Sequence, residues 1–256
     1  MRELVVDRLA GKVAHNNYGV QPRTTRTPIL IGKSGANVFR VHRDDGVAWI
    51  EKSGSSQELS REGAVLEWCA GRLPVPEVLG VPTGVLAMSA LPGVNLTEAP
   101  MDCAVAVIAE ALRLIHSMPV DDCPFEASWA VRLRQAERRV VDGLVDESDF
   151  DEVNIGRSPS DILAELQSQP ALPALTCFTH GDACLPNFLT QGRLLTGIVD
   201  LGRAGVTHPA QDWALALRSM RDNFGAEAER LLRKHLPEHC SDENLLRRFR
   251  LLDELF

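Results

Sequence analysis

Three side chains in the second half of the chain have the types and spacing of a site that handles phosphate charge: Asp182, Asn187 and Asp200. Asp182 and Asn187 lie on HGDACLPNF (180–188), a loop that Pro186 stiffens. The apolar run that follows the turn Gln191-Gly192 ends in Asp200, and a hairpin of that length can return Asp200 beside Asn187. An amide oxygen and a carboxylate are hard ligands. They suit Mg²⁺, which keeps waters and completes its shell with phosphate oxygens. Asp182 is left to orient a hydroxyl and accept its proton. A metal clamp on a nucleotide and a carboxylate on a nucleophile are the parts of phosphoryl transfer. Asp and Asn also form ordinary turns; it is Asp200 at the end of the next strand that turns the pair toward chemistry. His180 reads as a buried, hydrogen-bonded support of the loop rather than as a base or ligand.

Such a site needs a second half that holds the nucleotide. Gly32-Lys33-Ser34-Gly35-Ala36-Asn37 precedes a strand, and its backbone N–H groups can cover phosphates. Lys52 closes the following strand and can meet the α- and β-phosphates. On the next helix Glu58 and Glu62 share a face, four residues apart, and either can hold Lys52. A third feature is DGLVDESDFDE (142–152), six carboxylates without a Lys or Arg. Such a run is usually a solvated loop; beside a kinase-type site it implies a polycationic acceptor.

The elements that must position these residues follow from the hydrophobic pattern. Ala36–Val41 and Val47–Lys52 alternate about the turn Arg43–Gly46 and read as a hairpin. Gln57–Ala70 reads as a helix with Leu59, Ala64, Leu66 and Cys69 on its apolar stripe, stopped by Pro74 and Pro76. Glu77–Leu79 and Val85–Met88 are short strands, and Leu91-Pro92-Gly93 is a turn linking two lobes. Beyond residue 100 the pattern is helical: Met101–Ser117, Ala127–Val141, Asp161–Gln167, and helices from Ala210 onward, broken at Pro237. A strand-rich patch at 175–200 interrupts them. The expected plan is α+β and bilobal. An N-terminal nucleotide-binding lobe spans 1–90, with a hinge about 88–93. A mostly helical catalytic and acceptor lobe spans 94–256.

Composition bounds the rest. Of 256 residues, 45% are hydrophobic, which suffices for a substantial core, and the net charge of −8 argues against nucleic acid and suits a cationic small molecule. Six scattered cysteines without metal-ligand spacing read as reduced thiols. With no signal-like or membrane-length apolar run, the expectation is a cytoplasmic protein without membrane contact, a monomer or weak dimer.

The pattern H-x-D-x-x-x-x-N with a following Asp resembles the catalytic and metal-binding loops of the protein-kinase fold. Over nearly the whole chain the sequence resembles the aminoglycoside 3′-phosphotransferases. The resemblance is strongest in HGDACLPNF, GIVDLGRAGVTHPAQDWALALR (197–218), CPFE (123–126), GLVDESDFDE (143–152) and RLLDELF (250–256). It implies a protein-kinase-like fold, ATP and Mg²⁺ as cofactors, and an aminoglycoside as partner. By position, Asp182 matches the catalytic Asp, and Asn187 and Asp200 match the Mg²⁺ ligands. Lys52 matches the phosphate-contacting Lys and Glu62 its helix partner. Ser34 and Gly35 fall over the phosphates, and backbone groups of Ser89 and Ala90 fall at adenine. The acceptor side takes Asp149, Asp151, Glu152, Arg203, Arg218, Asp253, Glu254 and the Phe256 carboxylate. Ser219 stands where some relatives carry an acidic substrate contact, and Asp222 lies near another such position.

The reading is transfer of the γ-phosphoryl group to the 3′-hydroxyl of a kanamycin- or neomycin-type antibiotic. Its alternatives are the same chemistry on another cationic acceptor such as streptomycin, a metallohydrolase built on His180, Asp182 and His208, and a kinase-like module without catalysis. The last is disfavoured because Lys52, Asp182, Asn187 and Asp200 are all present.

Overall fold

The computed structural model describes residues 23–29 and 37–256. The predicted phosphate loop, including Ser34 and Gly35, lies outside the described residues. Among them are ten strands and seven α-helices in two compact units.

The first unit runs to Asn95 and also takes Phe188–Gly202. Its sheet has the order β1-β2-β3-β5-β4, antiparallel throughout, from β1 (Thr24–Ile29), β2 (Asn37–Arg43), β3 (Ala48–Ser53), β4 (Val78–Gly80) and β5 (Val85–Ser89). The β2–β3 turn is closed by Arg43 N–H on Val47 O at 2.8 Å, with Gly46 at φ 88°. Strand alternation sends Trp49 and Lys52 to opposite faces. Trp49 joins Val41, Leu79 and Ala87 in a cluster with Phe39 and Val47. Lys52, in register with Val38 and Leu86, is buried on the other face, where α1 (Ser56–Cys69) packs on β4 and β5. The buried stripe of α1 is Leu59, Glu62, Gly63, Val65, Leu66 and Cys69. Ala64, expected on the stripe, is exposed; the face is set by the larger Val65 and Leu66 beside it.

A three-stranded sheet, β6 (Val94–Asn95), β8 (Phe188–Gln191) and β9 (Leu194–Ile198), belongs to the same unit. The turn read as a linker is packed against it. Thr196 Oγ1 donates to Pro92 O at 2.7 Å. A Cβ on Gly93, at φ 109°, would stand 2.5 Å from Thr190 O, so only glycine fits.

The second unit comprises Leu96–Asn187 and Arg203–Phe256. It contains α2 (Met101–His116), α3 (Trp129–Val141), α4 (Pro159–Gln167), α5 (Ala210–Phe224), α6 (Ala226–Arg233) and α7 (Glu243–Asp253). The strands β7 (Cys177–Thr179) and β10 (Gly205–Thr207) pair antiparallel. Helix α2 is apolar almost all round, with Val107, Ile108, Ala111, Leu112 and Ile115 fully buried, and it packs against α5, α6 and β7. Its exposed strip is narrow, formed by Asp102, Glu110, Arg113 and Leu114. Gly225, at φ 85°, divides α5 from α6; this break precedes the one expected at Pro237. Among the described residues no helix is long and apolar enough to cross a membrane, and all six cysteines are free thiols.

Candidate active site

In the first unit the centre is a buried ion trio. Lys52 Nζ lies 2.9 Å from Glu62 Oε2 and 2.7 Å from Asp200 Oδ1. Lys52 is 8% exposed and Glu62 3%, so the pair is held out of water, where losing one partner leaves an uncompensated charge. Of the two glutamates open to the sequence reading, the structure brings Glu62 to Lys52; Glu58 is exposed. Burial works against the Lys52 ammonium, but the Asp200 and Glu62 carboxylates outweigh it and raise its pKa. Burial also pushes Glu62 up against the pull of Lys52. Lys52 is therefore charged at neutral pH and pre-aimed beside Asp200.

Asp200 sits at φ 61°, the one non-glycine in the left-handed region among the described residues. Asp tolerates this region better than most residues, yet the conformation costs about 1–3 kcal/mol and is kept where the surroundings impose it. The chain after it is pinned to α1 by Arg61 Nε donating to Gly202 O at 3.0 Å. Ser89 closes β5; its N–H donates to Glu77 O and its hydroxyl accepts from Glu77 N–H, both at 2.9 Å.

In the second unit HGDACLPN leaves β7 and is held from below by α5. Asp212, fully buried, accepts from His180 N–H at 2.8 Å and Gly181 N–H at 2.9 Å, and meets His116 Nε2 at 2.9 Å. Burial opposes its charge, but these partners, His116 foremost, hold its carboxyl below the usual range. Gln211 Nε2 donates to Gly181 O at 3.0 Å. Gly181 has φ 84°, and a Cβ there would lie 2.1 Å from Arg203 O. His180 is fully buried and its Nδ1 accepts from Asp182 N–H at 3.3 Å, the supporting role expected of it. Asp212 went unassigned in the sequence; an Asp in the first turn of an apolar helix was the available signal.

Asn187 Nδ2 donates to Asp182 O at 2.9 Å and to Asp182 Oδ2 at 3.2 Å. The amide thus orients the Asp182 carboxylate and spends its N–H groups on it, which leaves the amide oxygen of Asn187 as a hard donor of the kind Mg²⁺ prefers. Ser219 is not at the surface: it is 6% exposed, and its hydroxyl accepts from Leu185 N–H at 3.0 Å. It props the loop, whereas Asp222 is exposed. On the same loop, burial, with the charges of Asp182 and Asp253, pushes the Cys184 thiol well above the ordinary range.

The expected acceptor carboxylates fall into two groups. Asp149 and Glu152 are exposed. Asp151, Asp253 and Glu254 have partners within the unit. Asp253 takes Arg203 Nη1 at 2.8 Å and also pairs with Arg218. Arg218 reaches Asp151 at 3.6 Å. Glu254 accepts from Asn154 Nδ2 at 2.7 Å. Arg139 donates to Phe256 O at 2.9 Å, and the guanidinium of Arg203 lies 5.0 Å from the Phe256 ring centre. The metallohydrolase set is not assembled. His208 Nδ1 accepts from Ala210 N–H at 3.1 Å and its ring stacks on Phe249. Among the described residues no three His, Cys, Asp or Glu side chains gather as a metal site.

Residues 25–250 match the model of the phosphotransferase enzyme family. An aminoglycoside 3′-phosphotransferase from Niallia circulans is 34% identical over 247 residues, covering 91% of this chain and 94% of its own. One from Streptomyces fradiae is 35% identical over 221 residues, covering 79% and 81%. Among solved structures, a type VIII aminoglycoside-3′-phosphotransferase superposes with a TM-score of 0.78 at 32% identity, covering 98% of this chain and 99% of that one. The aminoglycoside phosphotransferase APH(3'')-Id from Streptomyces rimosus gives 0.77 at 26%, covering 90% and 92%. These neighbours share the bilobal, kinase-like α+β plan. A strand-rich unit with a buried Lys–Glu–Asp trio, a helical unit with an Asp–Asn loop, and these likenesses over nearly the full length place the chain in the phosphotransferase enzyme family, among its aminoglycoside 3′-phosphotransferases.

Proposed function

We propose that the protein transfers the γ-phosphoryl group of ATP to the 3′-hydroxyl of a kanamycin- or neomycin-type aminoglycoside. The added charge and bulk would spoil the drug's contacts with ribosomal RNA and so confer resistance. The observation that carries the reading is Asp182, aimed by Asn187 on a loop anchored to buried Asp212.

In this reading the N-terminal lobe, about residues 1–90 with its hinge at 88–93, takes the nucleotide. Lys52, locked by Glu62, meets the α- and β-phosphates, while Ser34 and Gly35 cover them and Ser89 and Ala90 meet adenine. Asn187 and Asp200 would hold Mg²⁺, which when bound neutralises charge on the phosphates. Asp182 orients the 3′-hydroxyl for in-line attack and takes its proton as the new oxygen–phosphorus bond forms and the bond from the γ-phosphorus to the bridging oxygen breaks, releasing ADP. Most of the acceleration then comes from positioning and charge neutralisation. The acceptor's ammonium groups are drawn to the lobe spanning about 94–256, where Asp149 and Glu152 offer the exposed carboxylates. Asp151, Asp253, Glu254, Arg203, Arg218, Asp222 and Phe256 shape the wall.

The deciding experiment is phosphorylation by the purified protein with Mg²⁺ and ATP of kanamycin, of its 3′-deoxy analogue tobramycin, and of streptomycin, with Asp182→Ala as control. Turnover of kanamycin alone supports the proposal. Turnover of streptomycin alone keeps the chemistry and overturns the acceptor; streptomycin belongs in the panel because APH(3'')-Id, a structural neighbour, has been solved in complex with ADP and streptomycin.

A further inference from the structure

The segment that carries Asp149, Asp151 and Glu152 has little regular structure of its own. Two single 3₁₀ turns, Glu147–Asp149 and Glu152–Asn154, are joined through Phe150. Its neighbours Val153 and Ile155 are 86% and 71% exposed. Phe150 is the apolar anchor of the loop, at 8% exposed, and a single anchor leaves the arrangement of the carboxylates to polar ties. One polar residue of the loop is buried as well. Asn154 is 7% exposed, and each of its polar groups has a partner. Its Nδ2 donates to Glu254 Oε1 at 2.7 Å. Its Oδ1 accepts from Arg157 Nη1 at 3.2 Å. Its own N–H donates to Asp151 O at 2.7 Å, and its carbonyl accepts from Arg157 N–H at 3.0 Å.

The partners extend the tie on both sides. Glu254, at the end of α7, also accepts from the backbone N–H of Asp151 at 3.1 and 3.2 Å. Arg157 reaches Glu165 on α4 at 2.6 Å, and Glu165 meets Arg247 on α7 at 2.7 Å. The second tie, Arg218 to Asp151, is longer at 3.6 Å and is shared with Asp253. The short ties of the loop to the end of α7 therefore meet on Glu254, and Asn154 supplies the side-chain one.

We propose that Asn154 is the positioning residue of the acceptor loop: its buried amide latches the loop to Glu254 and so fixes where the carboxylates of Asp149, Asp151 and Glu152 stand. The latch rests on the acceptor reading above. On this account Glu254 acts mainly by holding the loop, because its carboxylate oxygens are occupied by Asn154 and the Asp151 amide. Losing the Asn154 amide frees the loop without touching Lys52, Asp182, Asn187 or Asp200.

The test uses the full-length protein with kanamycin, Mg²⁺ and ATP, and compares Asn154→Ala, Glu254→Ala and the double variant. Asn154→Ala is expected to raise the kanamycin KM about tenfold, the size of one buried hydrogen bond to a charged group, while the ATP KM moves by less than about twofold. Amide hydrogen exchange at Asp151, measured without any drug, is expected to quicken in both single variants. The double variant should be no worse than Glu254→Ala, because that change already removes the acceptor of the Asn154 amide. Unchanged exchange at Asp151, or additive effects on the kanamycin KM, overturns the latch. If the alanine variant fails to fold by circular dichroism, Asn154→Ser, which shortens the reach but keeps a donor, is read in the same way. If the wild type does not phosphorylate kanamycin, the acceptor reading fails, and the exchange experiment still decides whether the latch exists.

Discussion

Asp182, Lys52 and Glu254 are three charged groups with three different environments, and each predicts a different failure. Asp182→Ala removes the group that orients the hydroxyl and takes its proton. The expected loss is about 10³-fold in kcat with ATP affinity nearly unchanged; ATP binding by calorimetry alongside steady-state kinetics checks both halves. Glu62→Gln leaves Lys52 with Asp200 as its carboxylate partner in the trio. The ATP KM should rise about tenfold while the kanamycin KM stays. Glu254 is shifted the other way from a typical salt-bridged acid. Burial, partly offset by its Asn154 hydrogen bond, raises its pKa from 4.5 to about 7. The folded protein therefore binds this proton more tightly than the unfolded chain does. Between about pH 4.5 and 7 that group's contribution to stability falls as pH rises. Glu254→Gln should flatten the pH dependence of Tm across that window relative to wild type; an identical slope in both proteins would contradict the assignment.

At the scale of elements, the catalytic loop is short of internal structure and borrows its rigidity from α5. Two residues of that helix, one in its first turn and one two turns further on, supply the contacts: Asp212 to the amides of His180 and Gly181, and Ser219 to the amide of Leu185. Asp212→Ala would leave two buried N–H groups and His116 without their acceptor. A loss of about 3 kcal/mol follows, read as the midpoint of urea unfolding, with kcat falling alongside it. Gly181→Ala is expected to be at least as damaging, since the new Cβ would meet a backbone carbonyl that cannot step aside. Ser219→Ala should cost about 1 kcal/mol and only a few-fold in kcat. The periodicity of α5 was legible in the sequence. That its polar residues serve the loop at 180–187 was not, because a helix pattern tells which face is buried and not which loop lies against it.

For the molecule as a whole, a net charge of −8 favours the approach of a polycation. If exposed carboxylates such as Asp149 and Glu152 gather the acceptor, raising salt from about 0.05 to 0.5 M should lower kcat/KM for kanamycin several-fold, as the screening length falls from roughly 14 to 4 Å. A salt-insensitive kcat/KM would count against electrostatic capture.

The phosphotransferase class was readable in the sequence through the order of Lys52, Asp182, Asn187 and Asp200, because phosphoryl transfer needs few kinds of ligand. The main helices and the five-stranded sheet's inner strands were readable too, since periods of 3.6 and 2 are written in the pattern of apolar residues. Tertiary structure decided the rest. It chose Glu62 over Glu58, because only one of two residues on a helix face ends up in the buried layer over Lys52. It moved the hairpin 188–202 into the first unit through the register of β6 with β8, a pairing between segments nearly a hundred residues apart. It also gave Ser219, Asp253 and Glu254 partners inside the second unit. A carboxylate reads the same in sequence whether it faces water or an arginine, and only the fold determines which.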